Sequence, residues 1–145
     1  MGRHSDYTQE MADAICEKIA SGESVRAICK PDDMPAMSTV FRWLSNSKEF
    51  SEQYARAKQA QAEYMVDEIL DIADDGKNDW MEKRSKDGDM LGWVENGEAL
   101  RRSVLRVDAR KWLAMKLLPK KYGEKLDVNA THAGEIAVRR VVTDL

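Results

Sequence analysis

The chain has 145 residues, enough for one ordinary domain or two or three small modules, and combines 43% hydrophobic with 34% charged residues. No apolar run approaches membrane-spanning length, and no secretory-type leader opens the chain. Its net charge is −3, and the first sixty residues carry eight Lys and Arg against nine Asp and Glu; that near-neutral balance counts against tight non-specific DNA binding by a single copy, because phosphate neutralisation supplies most such affinity.

Taken in order, Thr8 begins an amphipathic run in which Met11, Ala14, Ile15, Cys16 and Ile19 recur near helical spacing, and Gly22 ends it. Ser24 caps a short second helix, Val25 to Cys29, whose apolar face is Val25, Ile28 and Cys29. Cys16 and Cys29 read as buried thiols rather than a disulfide. With His4 and His132 distant in sequence, no metal-ligand spacing appears and no cofactor is implied. Pro31-Asp-Asp-Met-Pro35 stops the second helix, and Ser38 is expected to cap a third. There Val40 and Leu44 share one side, flanked by Phe41 and Trp43, while Thr39, Arg42 and Asn46 fall opposite, able to hydrogen-bond a base edge or phosphate. Helix, short helix, turn and helix is the helix-turn-helix order, although this turn is longer than the usual three or four residues or so. The same pattern also fits three helices around a small core that never meets nucleic acid.

From Lys48 to about Asp75 a long helix is predicted, with an apolar stripe from Phe50 to Ala73 and no Gly or Pro before Gly76. About 40 Å of helix at 1.5 Å per residue exceeds what a small monomeric core can cover, which implies partner helices. Its acidic residues, Glu63 to Asp75, read as a solvated face rather than a metal site. Between Lys77 and Gly97, Trp80 and Trp93 flank turn-forming Asp-Gly; the stretch is either a hairpin with a tryptophan on each arm or a mobile loop. A further helix is predicted from about Glu98 to Leu118, with Leu100, Val104, Val107, Trp112, Met115 and Leu118 as its buried side, ended by Pro119. The tail, Leu126 to Leu145, contains the β-branched run Glu135 to Val142 and reads as strand that must pair with something.

Charge is segregated along this second half. Residues 61–100 carry four Lys and Arg against twelve Asp and Glu, and residues 101–125 carry nine against two. Blocks of this size pair within one chain or between copies. The basic residues Arg101 to Lys116 are therefore expected to neutralise the acidic helix of the same or a neighbouring copy, with DNA contact as the alternative.

The stretch Gly22-Glu-Ser24, Cys29-Lys30, Met34-Pro35 and Ser38-Thr-Val-Phe-Arg-Trp-Leu44, together with Leu105-Arg-Val-Asp-Ala-Arg-Lys-Trp112 and Pro119-Lys-Lys-Tyr-Gly123, resembles the small terminase subunits of tailed bacteriophages, podophage type. The likeness runs over about residues 5 to 125. It implies a mainly α chain: a helix-turn-helix DNA-binding domain (residues 1–47), a central long-helix oligomerisation domain (48–125, with a hairpin-like insertion at about 77–97), and a C-terminal β segment (126–145) forming an intersubunit β-barrel. The implied role is non-catalytic: a ring-shaped homo-oligomer, octamer favoured, acting in the host bacterial cytoplasm. It would bind the packaging-initiation site on concatemeric double-stranded viral DNA, recruit the large terminase subunit and modulate that subunit's ATPase and nuclease. By matching position Arg42 is the first candidate DNA contact, with Thr39, Ser38 and Asn46 beside it and Lys30, Arg26, Arg3 and His4 as phosphate contacts. Tyr54, Tyr64, Ile69, Trp112 and Leu117 are the expected subunit contacts. Rival readings are a dimeric helix-turn-helix regulator or transposase-type DNA-binding domain, and a purely structural helical protein. The chain contains no phosphate-binding Gly-x-x-x-x-Gly-Lys-Ser/Thr loop and no nucleophilic triad.

Overall fold

Three side-chain oxygens open helices where the sequence placed them. Thr8 accepts from the Met11 amide (3.1 Å) to start α1 (Gln9–Ala20), Ser24 from Ala27 (3.2 Å) to start α2 (Val25–Ile28), and Ser47 from Phe50 (3.2 Å) to start α4 (Lys48–Asp74). These belong to a computed structural model that describes residues 6–124. The tail read as strand lies outside the described residues.

The third helix, α3 (Met37–Asn46), departs from expectation. Ala36, not Ser38, is its N-cap, and no side chain caps it. The entry is set by burial instead: Met34 and Pro35 are withdrawn into the core and Met37 packs against it. The extended Ala36 then offers its carbonyl to the amides of Thr39 (3.0 Å) and Val40 (3.2 Å). Ser38 is left exposed in the first turn and does not cap.

One core unites these helices with the start of α4. It holds Ala12, Ile15, Cys16 and Ile19 of α1, Val25 and Ile28 of α2, Cys29, Met34, Val40 and Trp43 of α3, and Phe50 and Ala57 of α4. Each large side chain buried there contributes about 1.5–3 kcal/mol. Tyr7, Trp43, Phe50 and Tyr54 form a chain of edge-to-face rings with centroids 5.3–6.2 Å apart. Both cysteines are buried as thiols, and burial raises the Cys16 pKa.

Beyond this core α4 pairs with α5 (Gly97–Leu117), which Asn96 caps through the Ala99 amide (3.3 Å). Between them β1 (Trp80–Arg84) and β2 (Met90–Glu95) make the hairpin, antiparallel with Trp80 opposite Glu95 and Glu82 opposite Trp93. Its turn uses Gly88 at φ 92°. Pro119 ends α5 and sits at the start of the one-turn α6 (Pro119–Tyr122).

The predicted buried side of α5 needs correction. Only Ala114 is buried, while Leu100, Val107, Met115 and Leu118 are half-buried, and Val104 and Trp112 are exposed. A single flanking helix covers too narrow a strip of α5 to enclose both edges of its apolar side.

Residues 61–64 of α4 form a joint with two other parts of the chain. Gln61, buried, donates to the Glu23 carbonyl (2.9 Å) and accepts from Lys58 Nζ (3.2 Å), whose ammonium pKa is lowered by burial. The Tyr64 ring lies on Gly22, which closes α1 in a left-handed conformation (φ 99°) with the Gly22 and Glu23 amides returning to Ile19 and Lys18. On the other side Glu63 accepts from Lys121 Nζ (2.5 Å) and Tyr122 Oη (2.6 Å), holding α6. Those two hydrogen bonds, Lys121's first, hold the Glu63 carboxyl below its ordinary pKa, and Lys121 and Tyr122 are raised in turn, chiefly by their bonds to Glu63.

Two outcomes follow from the joint. A Cβ at Gly22 would lie 2.6 Å from Tyr64 Cε1, so Gly22→Ala should lose about 2 kcal/mol or more in urea unfolding, from left-handed strain plus overlap. The double variant with Tyr64→Ala should lose less than the two single losses added, because the overlap is gone. For α6, the depressed Glu63 carboxyl contributes docking that is present above its unfolded pKa of 4.5 and lost as pH falls through the folded value. The raised Tyr122 and Lys121 lose theirs as pH climbs above 10.0 and 10.5 through their own folded values. The protection of the α6 amides relative to their intrinsic exchange rates should therefore fall at both extremes, and Glu63→Gln should remove the acid limb.

Candidate nucleic-acid and subunit interface

Burial of Val40 and Trp43 fixes which way α3 faces. Ser38, Phe41, Arg42, Ser45 and Asn46 are left exposed, a continuous stripe at spacings of three and four. Of the residues singled out from the sequence, Ser38, Arg42 and Asn46 come together on this stripe, and Thr39 sits half-buried at its edge. Helix α3 carries no Asp or Glu, and among the described residues Arg42 has no hydrogen-bond or ion-pair partner, so its guanidinium is available to a ligand. Arg26 on α2 and Lys30 just after it are also exposed. Arg3 and His4 lie outside the described residues.

Two stripe residues escaped the sequence reading. Phe41 was assigned to the core's flank and is 46% exposed instead. Ser45 was not singled out; its hydroxyl donates to the Phe41 carbonyl (3.2 Å). Their positions three and seven after Ser38 carried the signal, but an aromatic residue beside Val40 defaults to the core.

The second surface lies on α4, the hairpin and α5. Leu70, Val104, Leu105 and Trp112 are 59–69% exposed, and Trp80, Met81, Met90, Leu91 and Trp93 are exposed along the hairpin. Of the expected subunit contacts, Trp112 is on this surface, and Ile69 and Leu117 are half-buried. Ile69 lines a cleft with Ala114, Met115 and Tyr122. Tyr64 is part-exposed against Gly22, and Tyr54 packs on Phe50 inside the N-terminal core. Between the helices the charged blocks meet: Arg110 binds Glu68 (2.9 Å), both mostly covered. A neighbouring cleft is lined by Tyr64, Glu68, Asp71, Asp75, Arg102 and Arg106. Among the described residues no group of three or more His, Cys, Asp or Glu is arranged to hold a metal ion, and no helix is long and apolar enough to cross a membrane.

A family model described as "Bacteriophage Sf6, terminase small subunit-like" matches residues 7–129. Among solved structures, an Asp-to-Arg variant of the terminase small subunit gp1 of the bacterial virus Sf6 aligns with a TM-score of 0.67 and 37% identity, covering 88% of this chain and 89% of that one. A Lys-to-Glu variant aligns over the same shares with a TM-score of 0.68 and 37% identity, and an Arg-to-Ala variant likewise with 0.68 and 35%. No curated protein matches the chain.

Proposed function

The chain belongs to the Sf6 terminase small subunit-like family of bacteriophage DNA-packaging subunits, and from that premise we propose that it is the non-catalytic subunit that recognises viral DNA for packaging. In this reading α1, α2 and α3 act as a helix-turn-helix unit, with α3 entering the major groove. The observation that carries it is the exposed, carboxylate-free stripe of α3, on which Arg42, unpartnered among the described residues, stands between Ser38 and Asn46. Arg42 supplies a bidentate donor for guanine, and Ser38, Thr39 and Asn46 supply shorter-range hydrogen bonds to bases or phosphate. Arg26 and Lys30, with Arg3 and His4, contact the backbone and set register.

A module this close to electroneutrality binds usefully only in several linked copies. The exposed Leu70, Val104, Leu105 and Trp112 supply the means, because apolar side chains so far out of a monomer's own core are covered by further copies. A ring-shaped homo-oligomer, octamer favoured, therefore presents its recognition helices together, in the host cytoplasm. It hands the packaging-initiation site to the large terminase subunit, which carries the ATPase and nuclease.

Native mass spectrometry of the full chain should give one closed assembly; a dimer would instead favour the transcription-regulator or transposase-type reading. Leu105→Asp, a change at a side chain 69% exposed within the protomer, should dissolve the assembly while leaving the protomer's helical circular dichroism unchanged. Arg42→Ala in an intact assembly should weaken DNA binding by about 1–3 kcal/mol per engaged copy. Undiminished, salt-insensitive binding would remove Arg42 and α3 from the interface.

A further inference from the structure

Phe41 has no place in the hydrogen-bonding account of α3, yet it stands in the middle of the stripe. Among the described residues from Thr8 to Glu63 it is the only large hydrophobic side chain that is exposed. At spacings of three and four on the same helix stand the exposed Ser38 and Ser45, and Arg42 follows it directly. A lone ring set among polar groups is too small a patch to seat a partner helix; the apolar surface suited to protein contact is on α4, α5 and the hairpin. The nearest charge on its own helix is positive, and α3 has no carboxylate to repel phosphate. Such a face complements a groove whose floor is mostly polar, edged by anions, with isolated apolar points. In the DNA major groove the isolated apolar point is the 5-methyl group of thymine.

We propose that Phe41 is a specificity-determining residue that packs on a thymine methyl adjacent to the base pair read by Arg42. The inference rests on α3 being the DNA-reading helix and adds the base it selects. Adjacent positions on a helix reach neighbouring base pairs from one groove, so the preferred site carries a thymine beside the guanine that takes the guanidinium. The hydroxyl of Ser45 spends its one donor on the Phe41 carbonyl at 3.2 Å, keeping only acceptor capacity, which does not sense a methyl group.

The test uses the full-length assembly. A preferred duplex is first selected from a randomised library, and each thymine in it is then replaced singly by deoxyuridine, which removes the methyl group and keeps every hydrogen-bonding atom. At one position next to a guanine the substitution should weaken wild-type binding by about fourfold, the worth of one buried methyl group. Phe41→Ala should bind thymine and deoxyuridine duplexes equally, and Phe41→Leu, which keeps an apolar contact, should retain part of the discrimination. Circular dichroism and assembly mass confirm that both variants fold. Specific, salt-dependent binding that no deoxyuridine alters, or an equal deoxyuridine loss in Phe41→Ala, would overturn the assignment and leave α3 as the reading helix. Failure to enrich any sequence would overturn both.

Discussion

Phe50 stands at the first turn of α4, wholly withdrawn from water and touched edge-on by Tyr7, Trp43 and Tyr54. Rings from the N-terminal segment (Tyr7) and from α3 (Trp43) thereby join two rings of α4, Phe50 and Tyr54, at its start. The rest of the architecture depends on this burial, because a helix of 27 residues must be covered along its whole length by something. Its first half is covered by the N-terminal helices, which could not enclose a core without it: α1, α2 and α3 are too short to bury Ile15, Ile19 and Val40 among themselves. Its second half is left to α5, which covers one side and exposes the other. The protomer is thus well packed at one end and incompletely packed at the other, and that gradient separates the exposed polar stripe of α3 from the exposed apolar side chains of α4, α5 and the hairpin.

Electrostatics follow the same division. The acidic block of α4 and the basic block of α5 face each other, and Arg110 with Glu68 is their best-covered contact. Exposed pairs such as Lys48 with Glu52 and Arg102 with Glu98 add little to stability in water. Most of the opposed charge therefore acts through the field rather than through individual bonds, keeping α5 alongside α4 while apolar residues fix the contact. The α6 clamp on Glu63 is different in kind: two short bonds to one carboxylate set where the chain leaves the helical pair.

Much of this was legible from the residues. The helix start at Thr8, the cap at Ser24, the glycine stop at Gly22 and the proline stop at Pro119 act over a few residues, and local rules find them; the equally local cap at Ser47 was not singled out. The long uninterrupted α4 was equally readable, whereas the residues around Asp87-Gly88 fit a hairpin and a mobile loop alike, and the β1–β2 pairing decides between them. Misreadings came where tertiary burial overrode local preference. Ser38 is a good capping residue, but burial of Met34 and Pro35 moved the cap to Ala36. Phe41 is a good core residue, but Val40 and Trp43 already fill that side of α3. Val104 and Trp112 looked buried because apolar spacing marks what a helix face prefers, not whether the same chain supplies the cover. The joint at Gln61, Glu63 and Tyr64 left no sequence signature, since its partners are 38 to 59 residues away.

Ser47 is both the C-cap of α3 and the N-cap of α4: its amide donates to the Trp43 carbonyl at 2.8 Å and its hydroxyl accepts from Phe50. One residue separates the two helices, so there is no slack between them. A torque on α3 passes to α4 directly, and the contacts of Gln61 and Tyr64 with the turn at Gly22 and Glu23 brace the lever a second time some fourteen residues further along. The direction of α4 is therefore tied to that of the N-terminal helices at Ser47, Gln61 and Tyr64, three points along its first two-thirds or so.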